Sequence, residues 1–310
     1  MGNLKLFKQK VLVIGANGLL GQKIVETFLD DFEVHGIGRK NKPSLEFDKF
    51  NYTVCDITNR EQILELVRTF EPHFIVNSAA YTNVDGCEDE KEDCWKINVV
   101  GVENLAKAAK RFGIHVVHIS TDYVFDGVEG NYDEESRPKP LGYYGRTKLA
   151  AENALISSGI DCAIVRTMVL FGMGIDLNHN FVTWIIEKLT NGESINIVDD
   201  QFGHPTLVDD LAKAILKIVD LKKTGIYNIA GSECMSRFEL AQKIAEVFDL
   251  NSALIHSIKT KDLNQKAPRP LNSSFDLNKT LKEIGFQLSD VEKGLQTLRQ
   301  QLDNSKLLAS

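Results

Sequence analysis

An α/β fold, a doubly wound parallel sheet with a smaller C-terminal α/β lobe, is what this 310-residue chain predicts. Three observations carry the prediction. Short β-rich runs alternate with longer helical ones through the first half, the first run opens into a glycine turn, and the alternation loosens after Arg166. Parallel strands need long crossovers, usually helices, so this alternation marks βαβ units around a parallel sheet.

The first strand, Val11 to Ile14, runs directly into Gly15-Ala16-Asn17-Gly18-Leu19-Leu20-Gly21, and a helix is expected over Leu19 to Leu29. Glycines here allow a tight turn, close approach of the backbone to a pyrophosphate, and close packing of helix on sheet. The spacing is Gly-x-x-Gly-x-x-Gly. Further strands fall at Glu33 to Ile37, Tyr52 to Cys55, Phe74 to Asn77, Val116 to Ser120 and Cys162 to Val165, with helices over Arg60 to Thr69, Asp93 to Phe112 and Tyr143 to Ser157. Six strands satisfy a Rossmann dinucleotide-binding domain, assigned to residues 1–165. Residues 166–310 are read as a substrate-binding lobe. There Gly, Asn and Asp gather between Gly172 and Asn180, and helices are expected near Val208 to Val219 and Arg237 to Phe248. An apolar run at Ile226 to Ala230 returns a segment near 206–231 to the main sheet. Pro268-Arg269-Pro270 is rigid, and a last helix, Asp290 to Leu302, precedes a frayed tail from Asn304.

A net charge of −7 without a basic stripe argues against nucleic acid as a partner, and no apolar run approaches a membrane span. Met1-Gly2-Asn3 lacks the Ser or Thr at position 6 that myristoylation wants, since Leu6 stands there, and the start lacks a signal peptide's apolar core. A cytoplasmic protein is expected. Cys55, Cys87, Cys94, Cys162 and Cys234 include no Cys-x-x-Cys and are read as scattered reduced thiols. The seven histidines form no metal-binding motif, so no metal site is expected.

Chemistry is concentrated between residues 120 and 148. Tyr144 and Lys148 lie four apart on one helix face, with Cβ atoms about 5 to 6 Å apart. At an effective dielectric near 20 the ammonium's field is worth about 3 to 4 kcal/mol, which would pull the phenol's pKa below its ordinary value. Such a phenol exchanges protons near neutral pH. Gly38-Arg39-Lys40 ends the second strand, where an acid often binds a ribose 2′-hydroxyl. Two cations instead favour a 2′-phosphate, hence NADP, with NAD as the alternative. Asp56 and Ile57 follow the third strand, within reach of an adenine; Asp56 reads equally as a capping acid.

These motifs resemble the extended short-chain dehydrogenase/reductases, and more closely the dTDP-4-dehydrorhamnose reductase family over nearly the whole chain. The resemblance rests on the glycine turn, Ala79-Ala80-Tyr81-Thr82-Asn83-Val84-Asp85-Gly86-Cys87-Glu88, Ser120-Thr121-Asp122-Tyr123-Val124-Phe125-Asp126-Gly127 and Tyr144-Gly145-Arg146-Thr147-Lys148-Leu149. It extends to Arg166-Thr167, Asp200-Gln201-Phe202-Gly203-His204-Pro205-Thr206 and Arg269-Pro270-Leu271-Asn272-Ser273. It implies that Tyr144 donates the proton, Lys148 holds the nicotinamide ribose, and Thr121 hydrogen-bonds the substrate oxygen. Gly15, Asn17, Gly18, Leu19 and Gly21 would line the pyrophosphate, with Arg39, Asp56 and Ile57 at the adenosine end. Ala79, Ala80, Tyr81 and Asn98 would follow the cofactor, and Val84, Thr121, Asp122 and Val169 the substrate.

The implied reaction is NAD(P)H-dependent reduction of a nucleotide-linked 4-keto-6-deoxyhexose, the last step of dTDP-L-rhamnose synthesis. Val169 departs from the family, which usually places an aromatic residue there to pack on the deoxysugar. Tyr123 stands where dehydratases of the superfamily carry an acid, which disfavours elimination; an epimerase is a further rival. A regulatory binding subunit like methionine adenosyltransferase β, which resembles the same family, is the alternative of another class. A homodimer is left open.

Overall fold

The computed structural model describes residues 8–309; the readings that rest on Met1 to Leu6 lie outside them. In chain order the first half comprises β1 (Lys10–Ile14), α1 (Leu19–Phe28), β2 (Glu33–Gly38), β3 (Phe50–Val54), α2 (Arg60–Phe70), β4 (Phe74–Asn77), α3 (Gly86–Asp89), α4 (Lys91–Trp95), α5 (Gly101–Phe112), β5 (His115–Thr121), α6 (Tyr143–Ser158) and β6 (Cys162–Thr167). There follow β7 (Leu170–Phe171), α7 (Phe181–Thr190), β8 (Ile195–Val198), β9 (Phe202–Gly203), β10 (Thr206–Leu207), α8 (Val208–Asp220), β11 (Gly225–Asn228), β12 (Met235–Ser236), α9 (Arg237–Val247), β13 (Ile255–Ile258), α10 (Asn278–Ile284) and α11 (Val291–Ala309).

Seven strands form the main sheet in the order β3-β2-β1-β4-β5-β6-β11, every pair parallel. The order turns back between β1 and β4, and this switch point opens a crevice at the carboxyl ends of the strands. The seventh strand is β11, whose Ile226 pairs with Ile164 of β6. In β1, Val11 and Val13 face one side and Leu12 and Ile14 the other, and all four are buried. That is why its sequence is a continuous apolar run, as expected of a strand covered on both faces. One face packs α1 and α8 through Ile24, Phe28, Leu211 and Ile215; the other packs α2, α5 and α6 through Ile63, Leu105 and Leu155. A separate cluster, including Ile185, Leu240, Ile244 and Leu295, unites α7, α9 and α11.

Four expectations are corrected. The helix foreseen over Asp93 to Phe112 is interrupted by a π-helical turn, Lys96–Val100, between α4 and α5. Cys87 and Cys94 are joined as a disulfide, with Cα atoms 5.5 Å apart, because α3 and α4 fold back on one another; Cys55, Cys162 and Cys234 are free. The last helix continues past Asn304 to Ala309. Finally, the lowered phenol pKa expected of Tyr144 is reversed, as the site geometry explains.

Candidate active site

The crevice floor is the glycine turn. Gly15 adopts φ +82°, and a Cβ there would lie 2.8 Å from Ala79 N. A Cβ on Gly21 would lie 2.1 Å from the Gly15 carbonyl oxygen. A side chain at Gly15 would strike the chain that follows β4, and one at Gly21 would push α1 away from the turn. The first turn of α1 carries no acid and no side-chain cap, leaving its N–H groups to face an anion.

Neighbouring side chains brace this end. Asn17 donates to Lys42 O (3.1 Å) and Tyr52 Oη (3.0 Å) and accepts from Ser44 N (2.8 Å), fixing the loop that carries the exposed Arg39 and Lys40. Buried Gln22 donates to Ile175 O (2.9 Å) and accepts from Ile175 N (2.8 Å), tying the glycine-rich 172–180 loop across the crevice. Asp56 accepts from Thr58 N (2.8 Å), so it closes a turn, while Asn59 caps α2.

A single cavity of about 1080 Å³ runs from this turn to the carboxyl end of β5 and on to the C-terminal lobe. Gly15, Asn17, Gly18, Leu19, Gly21, Arg39, Asp56, Ile57, Ala79 and Ala80 line one end, and Val84, Thr121, Asp122, Tyr144, Lys148 and Val169 the other. Tyr81 and Asn98 are not among its lining residues. Asn98 lies in the π-helical turn, buried, where it accepts from Tyr81 N (2.7 Å) and donates to Tyr81 O (3.2 Å) and Thr147 Oγ1 (3.0 Å). It staples the cavity wall to α6 from behind.

Tyr144 and Lys148 sit one turn apart on α6, whose first backbone N–H, on Tyr143, is capped by Glu88 Oε1 at 2.6 Å. Lys148 is buried, and its Nζ donates to Ile119 O (2.6 Å). Burial lowers its pKa to about 8, against the pull of the Glu152 charge. Ala79 N donates to Asn77 Oδ1 (3.1 Å), so Asn77 Nδ2 donates to His118 Nδ1 (3.0 Å). This leaves the imidazole proton on Nε2, facing Lys148 Nζ at 3.3 Å. A neutral Lys148 amine can accept it.

The phenol of Tyr144 is pushed above its ordinary pKa, first by burial of the hydroxyl and then by the Asp122 charge. Desolvation outweighs the lysine four residues along, whose head group turns to a main-chain carbonyl. Tyr144 therefore rests as a neutral phenol, able to donate a proton but not already ionised.

Several lining residues escaped the sequence reading, Ser78, Phe181 and Arg237, and Thr167 was quoted there only as part of a motif without a role. The Thr167 hydroxyl is buried with no partner, and Arg237 lies 4.9 Å over the Phe181 ring. No local pattern marks Arg237, which lies at the start of α9 in a separate part of the chain. Motifs without an assigned role also find one. Ser273 Oγ donates to Asp122 Oδ2 (2.6 Å), and Arg269 pairs with Asp85 (3.0 Å) and stands 5.8 Å from the Tyr123 ring. Val169 has φ +48°, uncommon for a β-branched residue.

A glycine turn at a switch point, sharing one cavity with a Thr-Tyr-Lys set, defines the extended short-chain dehydrogenase/reductase class. Residues 9–304 match the family model described as RmlD substrate binding domain, and the chain belongs to that family. It is 33% identical over 302 residues to the dTDP-4-dehydrorhamnose reductase of Aggregatibacter actinomycetemcomitans, covering 94% of this chain and 98% of that protein. It is 32% identical over 286 residues to the methionine adenosyltransferase 2 subunit beta of Xenopus tropicalis, covering 90% and 83%. The crystal structure of dTDP-4-dehydrorhamnose reductase from Bacillus anthracis in complex with NADP superimposes with a TM-score of 0.85 at 34% identity, covering 95% of this chain and all of that one.

Proposed function

We propose that the protein is an NADPH-dependent reductase of a nucleotide-linked 4-keto-6-deoxyhexose, acting as a dTDP-4-dehydrorhamnose reductase. The observation that carries this reading is the continuous cavity joining the glycine cradle to Thr121, Tyr144 and Lys148. The cradle suits a dinucleotide pyrophosphate, since the glycine turn lies at the switch point and the first turn of α1 carries neither an acid nor a side-chain cap. Arg39 and Lys40, exposed at its rim, suit a 2′-phosphate.

A bound NADPH supplies the hydride; the protein supplies orientation and proton. Tyr144 gives its phenolic proton to the C4 oxygen, and Thr121 hydrogen-bonds that oxygen as charge develops. Below its pKa of about 8 Lys148 would be an ammonium whose charge favours the resulting phenolate. Arg237, stacked on Phe181, is the cation on the lobe side of the cavity suited to the substrate diphosphate. Tyr81 and Asn98 support the wall rather than touch cofactor.

The same reading takes residues 1–165 as the cofactor domain and 166–310 as the sugar lobe, sets the reaction in the cytoplasm and leaves a homodimer open. Among the described residues no helix is long and apolar enough to cross a membrane. The Cys87–Cys94 disulfide is the feature at odds with a reducing compartment.

The test is NADPH oxidation followed spectrophotometrically with dTDP-4-keto-6-deoxy sugars. Turnover dependent on both substrates supports the reading; none with any 4-keto sugar nucleotide rejects it. A second reading, a nucleotide-binding subunit of a catalytic partner, is favoured by the 32% identity to the methionine adenosyltransferase subunit and by Val169. Capture of methionine adenosyltransferase by an inactive protein would support it.

A further inference from the structure

Hydrogen-bond accounting around Thr121 leads beyond the three residues of the proposed chemistry. A threonine hydroxyl has one hydrogen and two lone pairs. Here the hydrogen goes to Asp122 Oδ1 (3.0 Å), and one lone pair accepts from Tyr123 N (3.2 Å). What remains toward the cavity is a single lone pair, which can accept from Tyr144 but can give nothing to a substrate oxygen. For Thr121 to donate to a developing oxyanion, its hydrogen must leave Asp122, and a carboxylate that loses this donor has nothing to offer in return. A carboxylic acid does, because its own O–H can donate to Thr121 Oγ1.

We propose that Asp122 acts as a neutral acid during reduction, a positioning residue that donates to Thr121 so that Thr121 can donate to the substrate, with Ser273 setting how readily Asp122 ionises. The inference rests on the reductase reading above, while the ionisation of Asp122 and its dependence on Ser273 are read without substrate. No covalent bond changes in this step; the proton of Asp122 stays on Asp122, the Thr121–Asp122 hydrogen bond reverses direction, and the hydrogen of Thr121 turns to the substrate oxygen.

The surroundings agree. Asp122 is 5% exposed and forms no salt bridge, its Oδ2 being taken by Ser273 Oγ at 2.6 Å. Burial raises its pKa above the ordinary carboxyl value, while Ser273, Thr121 and the more distant Arg237 charge pull it down. The other titratable groups facing it are Tyr123 and Tyr144, both of which its negative charge would oppose on ionising. The 151-residue separation between Ser273 and Asp122 explains why the Arg269-Pro270-Leu271-Asn272-Ser273 motif carries no function visible from its neighbours in sequence.

A group needed in its protonated form gives activity that falls as pH rises through its pKa. Ser273→Ala removes a donor that favours the ionised form, so this fall should move to higher pH, and Ser273→Thr, which keeps the hydroxyl, should restore the wild-type position. In Asp122→Asn the amide donates permanently, so this limb should vanish, and the variant should turn over about tenfold or more faster than Asp122→Ala, which offers Thr121 no donor. Infrared difference spectra of wild type against Asp122→Asn, taken without substrate across pH, read the protonated carboxyl band directly. They remain informative if the protein reduces no sugar, which would overturn the reductase reading alone. A carboxyl band lost only at the pH of an ordinary exposed aspartate, or a pH profile unmoved by Ser273→Ala, would overturn the proposal.

Discussion

The two ends of the cavity are built by different physics. The glycine-turn end is shaped by main chain and by missing side chains: Gly15 and Gly21 leave the space, Asn17 and Gln22 hold flanking loops, and its cations are exposed. The β5–α6 end is shaped by buried polar side chains, Thr121, Asp122, Lys148 and His118, whose protons are directed by one another and by groups distant in sequence. One end is a steric mould that any dinucleotide of the right outline fits. The other is an electrostatic device in which burial sets each proton's position.

The sharpest way to break this contrast is to perturb each end and look for effects at the other. Tyr144→Phe keeps the ring and removes the proton, so kcat should fall roughly 10²- to 10⁴-fold while the dissociation constant for NADPH, measured by fluorescence titration, changes little. Gly21→Ala should do the opposite. Its Cβ would meet the Gly15 carbonyl at 2.1 Å, and cofactor affinity should fall by about 100-fold or more, with loss of thermal stability measurable in the same titration samples.

The buried amine offers a third test, on stability. Lys148 has a folded pKa of about 8, below that of a free lysine, so the unfolded chain binds more protons between those values. Stability should therefore rise with pH from about 8 to about 10, by roughly 2 to 3 kcal/mol relative to Lys148→Met in urea unfolding. A flat difference between the two proteins would show that the amine is not desolvated. The smallest effect is expected at the exposed rim, where Arg39→Ser should reduce the preference for NADPH over NADH by about tenfold, read as a ratio of kcat/KM values.

The same contrast explains what the sequence could tell. The mould was legible because its parts are adjacent: Val11 to Ile14, the glycine spacing and the opening of α1 fall within a dozen residues or so, and the alternation marks a parallel sheet. The return of β11 to the sheet was legible from one apolar run. The device was only half legible. Tyr144 and Lys148 could be paired by helical spacing, but the direction of the phenol's pKa could not, because it depends on burial and on Asp122 from another element. Nor could the Cys87–Cys94 link, which needs the fold-back of α3 on α4, or the approach of Arg237 and Phe181, which requires the lobe to assemble. The bonds by which Asn98 holds Tyr81 and Thr147 together were not legible either, because a π-helical turn in the middle of a helix leaves no plain signal in sequence.

The most direct measurement is a crystal structure of the ternary complex with NADPH and a dTDP-linked 4-keto sugar, or its reduced product. The account predicts the pyrophosphate against Gly15 and Gly21, and the sugar's C4 oxygen within about 2.6 to 3.2 Å of both Tyr144 Oη and Thr121 Oγ1. A sugar seated away from both hydroxyls, or a dinucleotide bound outside the glycine cradle, would contradict it.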